Sequence, residues 1–438
     1  MITATELTDE IKREYLNGAK KDVKIGVELE RIPIQKESFS SIPYSGDAGM
    51  NGILKEFSRY EGWDYITDAG TIIGLKNDND TITLEPGCQF ELSIEPKTSI
   101  IELKSKIDSI DKSLKPILKK YDVKFLNYGI NPVTTYRHIS LLPKQRYHLM
   151  ANYLWGILSD VMMRETAGIQ ICIDFKNEED AMRKFRLSNM IMPFVTAICA
   201  NSPIRGGVDT GYKSFRGLSW LNTDNERCPF MSKKLYEGKY SFSQYISDVL
   251  ETPMIFINRD KPVFINGKIN FAQFLKNGYN GLYPTIEDFK LHANLYFPDV
   301  RLRNFIEIRN HDCSAKGMPY ALMALYKGIM YDDNAMWEVE NILSKFSYYQ
   351  LAELRYSVVK TALETKIGRV YINEYAREIV KIAYNSLKEN FSGEEHFLEP
   401  IIEIVSKCMT PADIILRNWE GSWNKNVSKL VDYVTEDV

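Results

Sequence analysis

Five glutamates stand on short runs that read as β-strands. The runs are GVELE with Glu28 and Glu30, LEPGCQFELS with Glu85 and Glu91, and FIEIRN with Glu307. Side chains alternate between the two faces of a strand, so Glu28 and Glu30 share a face while their apolar neighbours point the other way. If these strands are neighbours in one sheet, the carboxylates collect on one surface and repel each other unless hard cations lie between them. The pattern predicts a magnesium-nucleotide site.

Alternation by itself is weak support for such a site, because any antiparallel sheet with one solvated face shows it. Here the polar positions of three separated strands are repeatedly carboxylates, and Gln170 and Asp174 alternate in IQICIDF as well. Solvated sheet faces usually mix lysine, threonine and arginine with glutamate. The joint pattern therefore favours a shared acidic surface.

Basic side chains occur where an anion would need them. Arg309 follows Glu307 by two residues on the same strand face, and a glycine-rich loop carries Lys213 and Arg216. Glycines let backbone amides approach a phosphate, and a guanidinium grips a phosphate or carboxylate with two parallel hydrogen bonds. The loop lacks the spacing of a P-loop or a dinucleotide fingerprint, so a flexible surface connection is an alternative interpretation.

The composition is that of an ordinary globular protein. The chain has 438 residues, of which 44% are hydrophobic and 26% charged, and its net charge is -3. This charge gives no basic surface for nucleic acid, and no apolar run is long enough to span a bilayer. The N-terminal run MITATELTDEIKREY has the composition of neither a secretory signal nor a transit peptide, so we expect a cytoplasmic protein. The six cysteines lack CxxC spacing, which favours free thiols.

The elements that must position these residues follow from hydrophobic spacing and turn signals. Helices are predicted over residues 6–19, 53–60, 99–121 and 145–163, after an N-cap at Asn177, and almost throughout the chain from Tyr320 onward. Strands are predicted at VKIGVELERIPI, WDYITD, TIIGLKN, TITLEP, CQFELSI, VKFLNYGI, AGIQICIDF, PMIFIN, PVFIN and RLRNFIEIRN. This order predicts an α+β protein with an antiparallel or mixed sheet backed by helices.

A series of motifs resembles the plant-type glutamate-cysteine ligases in order and spacing. It comprises GVELE, LEPGCQFELS, LPKQRYHLM, QICIDF, ANSP, SFRGLSW, FIEIRN and TPADIILRNWEGSW, and covers the chain from about Lys24 to Trp423. The resemblance implies the glutamine synthetase/guanido kinase-like catalytic fold, in which a curved antiparallel sheet forms a funnel backed by helices. It also implies one catalytic domain over residues 1–438, sheet-rich over 23–310 and mostly helical over 319–438.

The resemblance implies an ATP- and magnesium-dependent ligase of glutathione biosynthesis. In that family ATP phosphorylates the side-chain carboxylate of glutamate, and the amine of cysteine attacks the resulting acyl phosphate. Carried over by motif, two or more Mg²⁺ ions would be held by Glu28, Glu30, Glu85, Glu91 and Glu307. Arg216 and Arg309 would be catalytic and would bind ATP together with Lys213, while Arg146 and Gln170 would bind the amino-acid substrates.

The chain departs from the family pattern around the expected substrate pocket. Cys88 replaces a glycine, Glu165 an arginine and Cys172 an asparagine, and we expect all three to contribute to substrate binding. Many amines can trap an acyl phosphate, so these changes could alter the acceptor amine or the acid. The alternatives are a ligase of the same family with another amine or acid, and a non-catalytic nucleotide-binding relative. The expected partners are small-molecule substrates, without nucleic acid or membrane, and the expected state is a monomer or homodimer.

Overall fold

The fold is built on one large antiparallel sheet. The computed structural model describes residues 2–20, 23–315 and 317–435, so the ends of the predicted domain, residues 1 and 436–438, lie outside the described chain. The sheet contains strands β1 Ile25–Gln35, β2 Asp64–Asp68, β3 Thr71–Asn77, β4 Asp80–Leu84, β5 Phe90–Lys97, β6 Val123–Leu126, β7 Gly168–Ile173, β8 Val300–Leu302 and β9 Ile306–Asp312. Their spatial order is β8-β9-β7-β1-β5-β4-β3-β2, and β6 pairs with the second half of β1.

The register of the central strands aligns polar residues on one face. Glu28 of β1 pairs with Gln170 of β7, and Glu30 pairs with Glu91 of β5. On the far side of β7, Cys172 pairs with Glu307 of β9. Since directly paired residues point to the same face, the register places carboxylates from three strands side by side.

The opposite face of the sheet is apolar and covered by helices. Val27 and Leu29 of β1 are buried in the main hydrophobic core, together with Ile169 and Ile171 of β7. Helices from three parts of the sequence pack on the sheet. These are α3 Ile100–Lys120 on β5 and β6, α6 Glu178–Ile198 on β8 and β9, and α12 Gly317–Met330 on β1 and β7. Burial of one face against helices, with the other face left polar, is what the alternation of the strands predicts.

Fifteen further helices complete the described chain. They are α1 Ala4–Asn17, α2 Met50–Glu61, α4 Gln145–Tyr153, α5 Ser159–Glu165, α7 Phe215–Leu221, α8 Lys233–Tyr236, α9 Phe242–Glu251, α10 Phe271–Asn277, α11 Ile286–Ala293, α13 Asp333–Leu343, α14 Tyr348–Thr361, α15 Ile372–Asn390, α16 Glu399–Lys407, α17 Pro411–Glu420 and α18 Val427–Val434. The predicted cap at Asn177 is confirmed, since its side chain accepts from the Asp180 N–H. The structure also shows a cap on α3, where the Ser99 side chain accepts from the Ile101 N–H. The predicted α+β class is confirmed.

Three predicted elements differ in the structure. The single helix expected over residues 145–163 is two helices, α4 and α5, because the chain at Gly156 passes the backbone of another segment: an added Cβ would lie 2.1 Å from the Thr223 carbonyl oxygen. PMIFIN and PVFIN form a two-stranded hairpin, Phe256–Ile257 with Val263–Phe264, outside the main sheet. RLRNFIEIRN is a hairpin rather than one strand, with Arg301 of β8 paired to Glu307 of β9.

No helix within residues 2–20, 23–315 and 317–435 is long and apolar enough to cross a membrane.

Candidate active site

The polar face of the sheet forms the wall of a cavity of about 310 Å³, which is called the acidic cavity below. Strands β1, β5, β7 and β9 supply this wall, and helices α4 and α5 close it from the side. The structure brings together eight of the residues singled out in the sequence, and they are Glu28, Glu30, Glu85, Glu91, Arg146, Gln170, Glu307 and Arg309. The prediction that the five glutamates collect on one surface is confirmed.

Three arginines lie close to the carboxylate of Glu307. Its carboxylate accepts two hydrogen bonds from Arg301, from Nε at 2.5 Å and Nη2 at 3.0 Å. Arg309 donates to the same carboxylate at 3.1 Å, and Nε of Arg303 lies 3.7 Å away. Burial alone would raise the pKa of Glu307, but Arg301, Arg309 and Arg303 outweigh it and hold the pKa well below its ordinary value. Glu307 is therefore ionised and already neutralised.

The other four glutamates form no ion pair with a described residue. Burial raises the pKa of Glu28 to about 7, and the charge of Glu307 adds to the effect. Burial also raises the pKa of Glu91 well above its ordinary value, with repulsion from Glu85, Glu28 and Glu30 in the same direction. The pKa of Glu30 is raised by burial and partly restored by Arg216. Burial therefore favours a proton or a nearby cation at Glu28, Glu30 and Glu91.

The carboxylates of the cavity fit hard cations whose remaining coordination positions are filled by other ligands. No group of three His, Cys, Asp or Glu within the described ranges is close enough to hold one metal ion by itself. Mg²⁺ is normally held by one or two carboxylates, with water and substrate phosphates filling the other positions. The cross-strand pair Glu30 and Glu91 offers that arrangement, because both side chains line the cavity and a cation there would replace the protons that burial favours.

Gln170 joins the glutamate side of the cavity to the arginine side. Its Nε2 donates to Oε1 of Glu30 at 3.0 Å, and its Oε1 accepts from Nη1 of Arg309 at 2.6 Å. The amide is therefore fixed in one orientation, with its oxygen taken by Arg309. Gln170 is better suited to positioning these two side chains than to binding a substrate through its oxygen.

Arg216 lies behind the cavity wall rather than in it. Its Nη2 donates to the Arg309 carbonyl oxygen at 3.0 Å, while its Nε and Nη1 are buried without a hydrogen bond to a described residue. Gly168 makes room for it, since a Cβ at that position would lie 2.2 Å from Nη2. Arg216 lines a small cavity of about 20 Å³ together with Arg309 and Trp220, so it borders the large cavity through Arg309.

Asp312, at the end of β9, fixes the loop that carries Arg216. Its carboxylate accepts from the Asn201 N–H at 2.9 Å, from the Ser202 hydroxyl at 2.7 Å and from the Ser214 hydroxyl at 2.9 Å. The Ser202 hydroxyl oxygen in turn accepts from the backbone N–H of Arg216. The glycine-rich segment is thus tied to the sheet, and the alternative of a flexible surface connection is wrong for this part of it.

Three of the predicted site residues lie away from the cavity. The ammonium of Lys213 pairs with Glu364 and Asp413, each at 2.5 Å, so it is not directed at a nucleotide in the cavity. Glu165 is a buried partner of Arg205 at 2.6 Å. Cys88 is 1% exposed, and burial raises the pKa of its thiol to about 12. The sequence placed all three close to the glutamates but contains no information on which way their side chains point.

Cys172 belongs to the polar face without lining the cavity. It pairs with Glu307 across β9 and with Gly26 across β1. Burial raises the pKa of its thiol well above the ordinary value, and the charges of Glu28 and Glu307 contribute. It is a neutral thiol beneath two carboxylates.

Several cavity residues were not predicted from the sequence. Arg301 and Arg303 line the cavity beside Glu307, and Trp220 lies under the Arg309 guanidinium with 5.6 Å between its ring centroid and Cζ. A hairpin interpretation of RLRNFIEIRN would have found the two arginines, because it places Arg301 directly opposite Glu307. Tyr147 carries no such signal, since it lies in a helix beside other polar residues.

An antiparallel sheet backed by helices, with carboxylates and arginines converging in one cavity, defines an α+β protein built to bind a charged ligand. The model of glutamate-cysteine ligase family 2 matches residues 24–432. The chain belongs to this family.

Individual comparisons agree with the family match. The chain is 30% identical to the chloroplastic glutamate-cysteine ligase B of rice, Oryza sativa subsp. japonica, over 97% of this chain and 87% of the rice protein. It is 31% identical to the chloroplastic enzyme of Nicotiana tabacum over 99% of this chain and 84% of that protein. A crystal structure of the Francisella tularensis glutamate-cysteine ligase in complex with AMP has the same fold, with a TM-score of 0.58, 12% identity and coverage of 95% of this chain and 89% of that chain.

The expected cytoplasmic location is contradicted by these relatives. The rice, tobacco and Arabidopsis proteins are named chloroplastic. The expectation rested on the composition of one N-terminal run, which is weak evidence for a compartment.

Proposed function

We propose that this protein is an ATP- and Mg²⁺-dependent ligase that joins the γ-carboxyl group of glutamate to the amine of cysteine. The observation that carries the proposal is the division of charge in the cavity. Four glutamates that form no ion pair with a described residue face a cluster of arginines around Glu307. A site of this kind accepts a polyanion together with the cations that accompany it. The family membership and the names of the plant relatives support the choice of acid and amine.

The carboxylates that form no ion pair with a described residue would bind the metal. Glu28, Glu30, Glu85 and Glu91 would hold two or more Mg²⁺ ions, with Glu307 at the edge of the set. Bound Mg²⁺ neutralises phosphate charge and polarises the phosphoryl group that is transferred. The glutamates lose their mutual repulsion at the same time, so metal binding and ionisation of the cavity are coupled.

The arginines and the cavity walls perform the remaining tasks. In the first step an oxygen of the γ-carboxylate bonds to the terminal phosphorus of ATP, and the bond to ADP breaks. Arg309 and Arg303 stabilise the charge on the transferring phosphoryl group, and Gln170 holds Arg309 in place. In the second step the amine nitrogen attacks the carbonyl carbon, phosphate leaves with the electrons of the broken C–O bond, and the nitrogen loses a proton. Arg146, whose Nε is buried without a hydrogen bond to a described residue, is suited to a substrate carboxylate.

A different acceptor amine is the second candidate. Cys172 lies on the polar face of β7 opposite Glu307, at a position where the resembling family has an asparagine. A thiol in place of an amide removes hydrogen-bonding groups beside Glu307, which changes the surroundings in which the acceptor amine is held.

The test is a turnover assay with a panel of amines. Purified protein is incubated with ATP, Mg²⁺ and glutamate, and ADP release is measured with cysteine and with other amino acids at limiting ATP. The proposal expects ADP release that requires both glutamate and an amine, with cysteine preferred. Preference for another amine selects the second candidate, and nucleotide binding without ADP release selects a non-catalytic relative.

We also propose that the chain is one catalytic domain, active as a monomer or homodimer. The main hydrophobic core extends from Leu7 to Ala412, so the sheet-rich and helical parts share it. Light scattering of the purified protein distinguishes the two assembly states.

A further inference from the structure

Asp299, which immediately precedes β8, lies directly opposite Arg309 of β9. The backbone N–H of Arg309 donates to the Asp299 carbonyl oxygen at 2.9 Å, which continues the register in which Arg301 pairs with Glu307. Since residues two apart on a strand share a face, all four of these side chains start from the same face. A carboxylate and a guanidinium in directly opposed positions attract each other. Position alone therefore predicts an ion pair between Asp299 and Arg309.

The two side chains have other partners in the structure. Nη1 of Arg309 donates to Oε1 of Gln170 at 2.6 Å and to Glu307 at 3.1 Å. The Asp299 carboxylate accepts from Nε of Arg355, a residue of α14, at 2.6 Å. Among the described residues, no ion pair joins Asp299 to Arg309. Arg309 is thus directed into the acidic cavity and away from the carboxylate opposite it.

Arg355 is fixed at two points. Its Nε holds Asp299, and its Nη2 donates to the Cys228 carbonyl oxygen at 3.0 Å. The side chains of Arg355 and Asp299 are 6% and 16% exposed, so solvent ions screen the pair only weakly. A planar guanidinium makes both contacts at once, which suits Arg355 to hold the Asp299 carboxylate in one position.

The small cavity of about 20 Å³ behind Arg309 shows why this pairing matters. Among the described residues that line it are three guanidinium groups, from Arg216, Arg309 and Arg355, but a single carboxylate, that of Asp299. Without Arg355, the Asp299 carboxylate would be an uncompensated charge beside two further arginines. Arg309 is the one whose backbone already bonds to Asp299, so its guanidinium is the nearest replacement partner.

We propose that Arg355 is a positioning residue: by pairing with Asp299 it prevents that carboxylate from capturing Arg309, and so keeps Arg309 directed at the transferring phosphoryl group. The inference rests on the proposed function for the task of Arg309. Arg355 does not line the acidic cavity, so its effect on turnover is indirect.

The test is rescue by a second substitution. Arg355→Gln frees the Asp299 carboxylate, and ADP release should fall by about 10- to 100-fold, as expected when a catalytic group is misplaced. Asp299→Asn added to Arg355→Gln removes the competing charge, so turnover should return to within about threefold of that of the unaltered protein. A purely structural role predicts no such recovery, because the double variant lacks both partners of the ion pair. A double variant no faster than Arg355→Gln overturns the proposal.

Two single variants complete the comparison. Asp299→Asn alone should lower the melting temperature, because Arg355 is left uncompensated, but should keep near-normal turnover, since no carboxylate competes for Arg309. The matched control is Arg259→Gln, which breaks an ion pair of the same 2.6 Å length, with Asp288, and lines neither the acidic nor the small cavity. It should lower stability without lowering turnover. Loss of turnover in Asp299→Asn to the level of Arg355→Gln overturns the proposal.

A crystal structure of Arg355→Gln tests the proposal without an activity assay. The expected result is an Arg309 guanidinium that pairs with Asp299 and has lost its hydrogen bond to Gln170, and an Arg309 that still donates to Gln170 overturns the proposal. If Arg355→Gln does not fold, Arg355→Lys takes its place in both experiments, because an ammonium cannot keep both contacts of the guanidinium. The same rescue and the same shift are then required.

The outcomes separate this inference from the proposed function. If the unaltered protein makes no amide but Arg309 moves to Asp299 in the Arg355→Gln structure, the positioning of Arg309 by Arg355 holds and the ligase proposal fails. If the unaltered protein makes the amide and Asp299→Asn does not restore turnover to Arg355→Gln, the ligase proposal holds and the positioning role fails.

Discussion

Arg301 and Glu307 face each other across a hairpin and form two hydrogen bonds, at 2.5 and 3.0 Å. The pair divides the five glutamates into two kinds. Glu307 is buried and neutralised by arginines, whereas Glu28, Glu30, Glu85 and Glu91 have no basic partner in the described chain. The same substitution should therefore have different consequences in the two groups.

Glu91→Gln should abolish turnover without destabilising the fold. The change removes a carboxylate whose pKa is raised by burial and by repulsion from Glu85, Glu28 and Glu30, so the protein without metal loses an unfavourable interaction. We expect ADP release to fall by about 100-fold or more, as for loss of one electrostatic contact to a transition state. The melting temperature without Mg²⁺ should be unchanged or higher. Near-normal turnover would show that Glu91 is not a metal ligand.

Glu307→Gln should cost stability as well as turnover. Removing one partner of a buried ion pair leaves the other charge uncompensated, at a typical cost of about 3–5 kcal/mol. Arg301 is 6% exposed and has no other carboxylate within ion-pair distance in the described chain. Urea unfolding of Glu307→Gln and Glu91→Gln, compared at one pH, measures the difference. Equal stability of the two variants would contradict the conclusion that Glu307 is paired with arginines whereas Glu91 is not.

The metal-free protein should lose stability as pH rises through the range between 4.5 and about 7. Burial raises the pKa of Glu28 from 4.5 to about 7, so the folded state holds a proton that the unfolded state has released in this range. Stability then falls with rising pH, by about 1.4 kcal/mol for each unit of pKa difference. Saturating Mg²⁺ should flatten the dependence, because the cation replaces the proton. Thermal unfolding across this range, with Glu28→Gln as control, measures the slope, and a slope that Glu28→Gln leaves unchanged would assign it to other groups.

Lys213→Gln should leave nucleotide affinity unchanged. The ammonium lies between Glu364 and Asp413, outside the acidic cavity, so the KM for ATP should change by less than about twofold. Arg303→Gln is the contrasting variant, because Arg303 lines the acidic cavity beside Glu307, and the KM of this variant for ATP should rise by about tenfold or more. A tenfold rise in the KM for ATP of Lys213→Gln would show that Lys213 binds the nucleotide.

The sheet and its glutamates could be predicted because alternation fixes which side chains share a face. The shared face of Glu28 and Glu30 follows from the two-residue period of a strand. The motif series predicted which strands lie beside that strand. The orientation of long side chains could not be predicted in the same way. Lys213 and Arg216 are three residues apart, on either side of the start of α7, yet one pairs with Glu364 and Asp413 while the other lies behind Arg309. Arg301 was missed because its position depends on a turn at residues 303–305.

The most direct measurement is the product formed from ATP, Mg²⁺, glutamate and cysteine, analysed by mass spectrometry beside an ADP assay. A γ-glutamyl ligase should form one amide for each ADP, only when glutamate, amine and Mg²⁺ are all present, and Glu91→Gln should form neither. ADP release without an amide, or no ADP release with any amine of the panel, would contradict the assignment of the acidic cavity to amide-bond formation.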